Sequence, residues 1–416
     1  MYYLVGKNLG HSFSKKIHNL FGNDNYELYE TNSIIDFVKT VDFKGINITI
    51  PFKSEIIPLI DKFDQISKLT NSVNTILKKD NKLYGYNTDY YGLKETFSYY
   101  NVEIKNKNIL ILGNGSVSKT VKKLLEDKGA KSIIKLCRTI RNTNEYLFSD
   151  YKKFLNYDVL INTTPVGMYP NNKNCSLLNL SEFKNINCVV DLIYNPFRTR
   201  LLLDAEALNI KAINGLYMLV MQAKKAHEIF NNISIPKNYA NKIFKKIYQN
   251  YINLVYVGLP LSGKTKYAKT MGKYLDKKVV DIDSYIEKTA NNSIQEIFKK
   301  YGEKHFRALE KSVVENIYKE RNLAISTGGG LIESSENMML LKQNGFVIFL
   351  NKDPVIISRK KIYNRPLLKD SNNIFPLAER RVPLYKYFSD VEIKIKKSTD
   401  FHVNEIKEKI NEYLNR

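Results

Sequence analysis

Two short glycine-rich turns constrain this chain more than any other feature, because each lies between an apolar strand-like run and a helix-like one. Gly113-Asn114-Gly115-Ser116-Val117-Ser118 follows Ile109-Leu110-Ile111-Leu112, and Gly258-Leu259-Pro260-Leu261-Ser262-Gly263-Lys264-Thr265 follows Ile252-Asn253-Leu254-Val255-Tyr256-Val257. The first is a strand-turn-helix of the dinucleotide-binding kind. Gly113 permits the tight turn, Gly115 lets backbone approach a pyrophosphate at the helix N-terminus, and Ser118 takes the third, helix-packing position. The second satisfies G-x-x-x-x-G-K-[ST] in the required context. Backbone amides from Gly258 to Gly263, with Ser262, cradle phosphates there; Lys264 reaches the β and γ oxygens, and Thr265 binds Mg²⁺. Two nucleotide cradles imply two enzymes on one polypeptide.

A chain of 416 residues with 43% apolar content is ample for two or three compact domains. No stretch approaches the roughly 20 consecutive apolar residues that a membrane helix needs. Strand-like residues begin at Tyr2 with no basic segment and apolar core before them, so no signal peptide is expected. Cys137, Cys175 and Cys188 lack metal-ligand spacing and fit a reducing compartment. The expectation is a soluble, cytoplasmic enzyme. A formal charge of +23 raises nucleic acid as a partner, but the lysines are spread along the whole chain rather than gathered in a stripe. Small anionic substrates and nucleotides are expected instead, with neither nucleic acid nor membrane as partner.

Residues 1–100 alternate short strands (Tyr2–Val5, Gly45–Ile50, Ser72–Leu77, Lys82–Tyr86) with polar helical stretches. From about residue 101 to 214, strands at Asn108–Leu112, Ser132–Cys137, Val159–Asn162 and Cys188–Leu192 alternate with helices such as Val117–Lys128, the pattern of a parallel, doubly wound sheet. Two helices split at Pro236 fill about 215–250, and a fresh strand at Ile252 opens a third α/β region with about five strands to residue 416.

The second strand of the dinucleotide unit, Ile133-Ile134-Lys135-Leu136-Cys137, ends in Arg138-Thr139 with no acid nearby in sequence. An NAD site would carry Asp or Glu there for the ribose 2′-hydroxyl, whereas Arg138 and Thr139 suit a 2′-phosphate and so NADP. Reducing a ketone with that cofactor needs a hydride on carbon and a proton on the developing alkoxide. Lys53 can supply the proton and the stabilising charge, and Asp89 is its obvious orienting partner. His11 and His18 are read as local packing or hydrogen-bonding residues.

Residues 2–250 resemble shikimate dehydrogenase. Gly10-His11-Ser12-Phe13-Ser14, Asn47-Ile48-Thr49-Ile50-Pro51-Phe52-Lys53, Asn71-Ser72-Val73-Asn74-Thr75, Gly85-Tyr86-Asn87-Thr88-Asp89, Asn162-Thr163-Thr164-Pro165-Val166-Gly167-Met168, Asp191-Leu192-Ile193-Tyr194-Asn195-Pro196 and the segment from Asn214 to Gln222 are similar to its ordered signatures. The resemblance implies Lys53 and Asp89 as catalytic and Ser12, Ser14, Thr49, Asn74, Tyr194 and Gln222 as substrate ligands. It also places Leu192 and Gly215 at the nicotinamide. Cys137 replaces the family's usual Asn, and Arg141 is one place out of register for its second cation.

Residues 252–416 resemble shikimate kinase beyond the phosphate loop. Val280-Asp281-Ile282-Asp283, the segment Gly302–Glu310, Thr327-Gly328-Gly329-Gly330, Arg365-Pro366-Leu367-Leu368 and Arg381-Val382-Pro383-Leu384-Tyr385 match its motifs. By resemblance Asp281 holds the water shell of Mg²⁺, and Asp283 accepts from the attacking hydroxyl. Arg307 and Arg381 fork onto the substrate carboxylate, Gly329 and Gly330 meet the ring, and Arg365 on a mobile lid neutralises the transferring phosphoryl group. Leu261 stands where the family commonly has Gly.

Only 11 of the 65 basic residues are arginines. If basic positions were filled at random, Arg at all four of 138, 307, 365 and 381 would arise roughly once in a thousand, so these positions favour a planar fork for anions. The expected architecture is a shikimate-dehydrogenase-like substrate domain (1–100, completed by helices at about 215–250), a Rossmann NADP domain (101–214) and a P-loop kinase domain with a parallel sheet (252–416). The expected activities are NADPH-dependent reduction of 3-dehydroshikimate and MgATP-dependent phosphorylation of shikimate. Quinate oxidation, a regulatory or weakly active P-loop half, and a basic nucleic-acid-binding protein are the alternatives. Oligomeric state is left open.

Overall fold

The apolar runs before the two glycine turns become central strands, buried on both faces. A computed structural model of the chain describes residues 1–10, 12–173, 176–359, 374–396 and 398–414. It divides into two units, Met1–Ile247 and Tyr248–Arg416.

The first unit contains two six-stranded sheets. Strands β1 (Tyr2–Gly6), β2 (Tyr26–Glu30), β3 (Gly45–Ile48), β4 (Lys62–Phe63), β5 (Thr75–Lys79) and β6 (Lys82–Tyr86) form a mixed sheet in the order β2-β1-β3-β5-β6-β4. β1, β2 and β3 are parallel, while β5 runs antiparallel to both β3 and β6. β5 starts at Thr75, three residues later than the sequence suggests. The amides just before it are used elsewhere: Val73 N donates to Lys53 O at 3.2 Å and Ser72 N to Ser67 O at 3.4 Å.

β7 (Asn108–Leu112), β8 (Ser132–Cys137), β9 (Glu145–Leu147), β10 (Val159–Asn162), β11 (Cys188–Asp191) and β12 (Lys211–Ile213) make an all-parallel sheet in the order β12-β11-β10-β7-β8-β9. This is the doubly wound order, in which a ligand crevice opens at the carboxyl ends where the order reverses beside the first strand. Burial on both faces explains the unbroken apolar sequence of β7. Ile109 and Ile111 pack with Val121 and Leu124 of the helix Ser116–Asp127, while Leu110 and Leu112 pack with Leu201 and Leu202 of the helix Arg200–Ala207.

The second unit contains one five-stranded parallel sheet in the order β14-β15-β13-β16-β17, from β13 (Asn253–Val257), β14 (Lys278–Asp281), β15 (Leu323–Ser326), β16 (Gly345–Asn351) and β17 (Val391–Lys394). Val255, Val257, Ile325, Val347 and Phe349 share one core cluster beneath its helices. The helix Ile294–Ile317 is broken at Gly302, whose φ of 78° lies in the left-handed region. No helix of the described residues is long and apolar enough to cross a membrane.

Candidate functional site

In the first unit, strand directions gather the chemistry at one sheet edge. β1 and β3 run together, so the loop of Ser12 and Ser14 and the segment Thr49–Lys53 leave at the same end. β5 enters and β6 leaves there too, since Thr75 pairs with both Asn47 and Tyr86. Asn74, Thr88, Asp89 and Lys53 therefore meet although the four come from three segments.

Lys53 Nζ donates to Asp89 Oδ2 at 2.5 Å, both residues being buried. Asn74 Nδ2 lies 2.9 Å from Asp89 Oδ1 and 3.3 Å from Gln222 Oε1, with Thr88 Oγ1 at 3.0 Å completing the cluster. Ser12 Oγ donates to Ser14 Oγ at 3.1 Å, and Phe13 between them packs on Tyr194 with ring centroids 5.5 Å apart. Thr49 follows β3 and donates its N–H to Val5 O at 3.1 Å. Four expected residues, Lys53, Asp89, Asn74 and Gln222, thus share one hydrogen-bonded network. His18 is buried and stacked on Tyr26 with centroids 3.9 Å apart, in keeping with a packing role; His11 lies outside the described residues.

The dinucleotide turn borders this network. Gly113 has φ 101°, and its N–H donates to Leu136 O at 2.7 Å. A Cβ there would meet Thr163 Oγ1 at 2.8 Å, whereas one on Gly115 would meet nothing within 4 Å. Packing therefore explains the first glycine, while the open space above the second is a cradle that a side chain would fill. Ser116 starts the helix Ser116–Asp127, and its Oγ lies 2.9 Å from Ser72 Oγ; Val117 is half-buried behind it. Arg138 and Thr139 are exposed, and Thr139 O accepts from Asn114 Nδ2 at 2.9 Å.

One expectation is corrected here. The sequence places no acid near Arg138, yet the carboxylate of Glu145 lies within reach of this loop, accepting from Asn114 Nδ2 at 3.1 Å. The cause is the connection between β8 and β9, which is short enough to return residue 145 alongside Lys135.

Across the crevice, a Cβ on Gly215 would collide with the Leu192 carbonyl, so only glycine fits where the helix Leu216–Asn231 begins. Asp191, fully buried, accepts from Thr199 Oγ1 at 2.6 Å, Asn162 Nδ2 at 3.0 Å and Ile193 N at 3.1 Å. Burial pushes its carboxyl up to about 7, against the pull of these three donors. It ties the loop Asn162–Met168 to that of Leu192–Tyr194, a role sequence reasoning did not assign.

In the second unit every expected residue among those described follows a strand's carboxyl end or faces it. Gly258 and Gly263 have φ of 149° and 101°. Lys264 Nζ donates to Gly258 O and Leu259 O at 2.9 and 3.0 Å. Leu261 itself adopts φ 62°, packs against the core and offers its carbonyl to Lys352 Nζ at 3.3 Å. Ser262 Oγ is buried with no partner among the described residues, as expected of a hydroxyl aimed at a ligand oxygen. Thr265 Oγ1 donates to Asp281 Oδ2 at 2.7 Å and lies 3.0 Å from Ser326 Oγ. This hydroxyl–carboxylate pair at the phosphate loop is a hard-oxygen donor set suited to Mg²⁺.

A Cβ on Gly328 would lie 2.6 Å from Asp283 Oδ1 and 3.3 Å from Glu310 Oε1, so the glycine run passes directly over both carboxylates. Arg307 donates to Glu310 at 2.9 Å and Glu303 at 3.1 Å, and a Cβ on Gly330 would strike its guanidinium. Burial pushes the Glu310 carboxyl up to about 6, with Arg307 opposing. Arg381 is buried, donates Nε to Glu333 at 2.7 Å, and has Nη2 without a partner among the described residues. Tyr385 OH donates to Gly329 O at 2.6 Å. Glu333 carries no sequence signal for its task, and Tyr385 stands in a matched motif without a role of its own assigned from the sequence. Arg365 lies outside the described residues.

Comparison with known proteins gives the following. Residues 4–76 match the family model described as shikimate dehydrogenase substrate binding domain, and residues 260–413 match that described as shikimate kinase. A shikimate dehydrogenase (NADP(+)) of Clostridium perfringens is 36% identical over 267 residues, covering 59% of this chain and 97% of the relative. One from Clostridium beijerinckii is 36% identical over 269 residues, covering 61% and 98%. Among solved structures, a chorismate mutase/shikimate 5-dehydrogenase fusion protein from Clostridium acetobutylicum is 34% identical with a TM-score of 0.55, covering 59% of this chain and 96% of that one.

Proposed function

The chain belongs to the shikimate dehydrogenase family and carries a shikimate kinase match after it, and from that premise we propose one polypeptide with two activities. It reduces 3-dehydroshikimate to shikimate with NADPH, then phosphorylates shikimate to shikimate 3-phosphate with MgATP. The observation that carries this furthest is the buried Lys53–Asp89 pair joined through Asn74 to Gln222. We assign substrate binding to 1–100 with the helices at about 215–250, NADP binding to 101–214, and the kinase to 252–416. The partners are small molecules, and the buried thiols of Cys137 and Cys188 suit a cytoplasmic setting.

In the first unit, Gly113–Val117 hold the pyrophosphate, Arg138 and Thr139 the 2′-phosphate, and Leu192 and Gly215 the nicotinamide. NADPH supplies the hydride. Ser12 and Ser14 take the substrate carboxylate, while Thr49, Asn74, Tyr194 and Gln222 fix its ring. Lys53 donates a proton to the ketone oxygen and offsets its developing charge. Asp89 holds the ammonium on that oxygen rather than letting it wander into water.

In the second unit, MgATP supplies the phosphoryl group, with Gly258, Ser262, Gly263, Lys264 and Thr265 around its phosphates and Asp281 beside Thr265 for the metal. Asp283 accepts the proton of the attacking hydroxyl. Arg307 and Arg381 clamp the carboxylate, Gly329 and Gly330 bring backbone to the ring, and Arg365 offsets charge on the transferring group. The Nη2 of Arg381 and the hydroxyl of Ser262, both without a partner among the described residues, support these roles.

A coupled assay with 3-dehydroshikimate, NADPH and MgATP tests the reading. Lys53→Ala should stop NADPH consumption and spare kinase turnover of added shikimate, and Asp283→Asn should do the reverse. Loss of both activities in either folded variant would refute two separable sites.

A further inference from the structure

Parallel neighbouring strands are ordinarily joined by a crossover of a dozen or more residues, usually a helix. β8 and β9 are joined by seven, Arg138 to Asn144. The loop that carries Arg138 therefore has no helix to order it. Asn114 and Cys137 reach the Thr139 carbonyl, and a side chain at the start of β9 binds the rest of the loop.

Glu145 is 6% exposed. Its Oε2 accepts from Asn114 Nδ2 at 3.1 Å and Arg141 N at 2.9 Å, with Cys137 Sγ at 4.0 Å; its Oε1 accepts from Asn142 Nδ2 at 3.1 Å. Burial works against ionisation, but these donors outweigh it and hold the carboxyl below its ordinary value. Asn114 also donates to Thr139 O at 2.9 Å, so a single amide joins the glycine turn to both the loop and the carboxylate. Below them lies buried Lys135, level with Glu145 across the strand pair. Its Nζ donates to Ser118 Oγ at 3.4 Å, and Ser118 Oγ donates to Gly115 O at 2.8 Å. An ionised carboxylate is acceptor-only with two oxygens, which is what donors arriving from two segments require.

We propose that Glu145 is a positioning residue that sets cofactor preference: by tying Asn114 to Arg141 and Asn142, it holds the Arg138–Thr139 edge against the glycine turn as a preformed seat for a ribose 2′-phosphate. This rests on the NADP reading of the turn. The carboxylate does not oppose the phosphate, because its charge is turned to the donors of Asn114, Arg141 and Asn142 and faced by buried Lys135. Arg138 stays exposed at the rim. The swap of the usual Asn for Cys137 is thereby offset from a neighbouring strand.

The test is steady-state kinetics of the full-length chain with NADPH and with NADH at saturating 3-dehydroshikimate. Glu145→Ala should raise KM for NADPH about tenfold, the equivalent of one charge-assisted hydrogen bond, and leave kcat within about twofold. NADH, which lacks the 2′-phosphate, should lose less, so the ratio of kcat/KM for NADPH over NADH shrinks. Glu145→Gln keeps an acceptor for Asn114 and Arg141 and should retain most of that ratio. Should Glu145→Ala fail to fold, Asn142→Ala carries the same expectation at about threefold. An unchanged ratio in the folded Glu145→Ala or Asn142→Ala variant, whether neither cofactor or both are affected, overturns the proposal. Failure of the wild type to oxidise NADPH at all would instead overturn the function proposed above.

Discussion

Lys53 Nζ sits 2.5 Å from Asp89 Oδ2, with the two side chains 11% and 9% exposed. At such burial the attraction between the charges is large and so is the desolvation each has undergone, so the pair is informative mainly when one partner is changed. Asp89→Asn keeps the shape and the contact with Asn74 but removes the charge that steers the ammonium. We expect kcat for 3-dehydroshikimate reduction to fall by about a hundredfold or more, with KM for NADPH little changed. Stopped-flow and steady-state NADPH oxidation check it; an unaltered kcat would reduce the pair to a structural one.

Arg381→Lys probes the fork. Arg381 reaches Glu333 through Nε, while Nη2 has no partner among the described residues and, in the reading proposed above, meets the substrate carboxylate. An ammonium cannot serve both directions at once. KM for shikimate in the kinase reaction should rise by about tenfold or more, and dehydrogenase kinetics should not move.

Leu261 makes an ordering of variants the reverse of the usual one. It holds φ 62° while packing on the core. Left-handed backbone costs a residue with a Cβ about 1 kcal/mol, and lost packing costs a similar amount. Leu261→Ala keeps the first penalty and adds the second, whereas Leu261→Gly trades one for the other. Urea inactivation of kinase activity in the full chain should find the Gly variant more stable than the Ala variant.

Two buried groups set opposing pH slopes on the stability of the first unit. Burial, with nearby His227 adding to it, lowers His18 to about 3. Between about pH 6.5 and 3 the unfolded chain takes up a proton that folded His18 refuses, so this contribution is lost as pH falls. Asp191, raised to about 7, does the opposite: its folded form keeps a proton that the unfolded chain releases, so its contribution is lost as pH rises from about 4 to 7. Each slope is at most about 1.4 kcal/mol per pH unit. Removing Asp191's term in Asp191→Asn should make stability climb more steeply with pH between about 4 and 6.5 than in wild type, measured by urea loss of dehydrogenase activity.

Legibility in the sequence followed locality. β7 and β13 announced themselves because burial on both faces demands unbroken apolar runs. β2, an edge strand reading Tyr-Glu-Leu-Tyr-Glu, and the three-residue β9 and β12 carry too little pattern to stand out. Lys53, one of many lysines, was legible only through its neighbours Asn47, Thr49 and Pro51. Asp191 was present in a quoted motif, but its partners Asn162 and Thr199 come from other segments. Glu333 had no signal at all, since its partner Arg381 lies 48 residues away. Charged groups whose work is to hold other groups are defined by the fold and not by spacing.

The helix Leu216–Asn231 starts with Gly215 pressed against the Leu192 carbonyl and carries Gln222 into the Asn74–Thr88 cluster. Seven residues of helix span about 10 Å, with no hinge along them. With the roles proposed above, the spacing between the nicotinamide seat and the amide that meets the reducible ring is fixed by a stiff rod rather than by two loops finding each other. Bringing hydride donor and acceptor carbon into register becomes a matter of element length, and a one-residue insertion between Gly215 and Gln222 would rotate that amide by about 100° off its target.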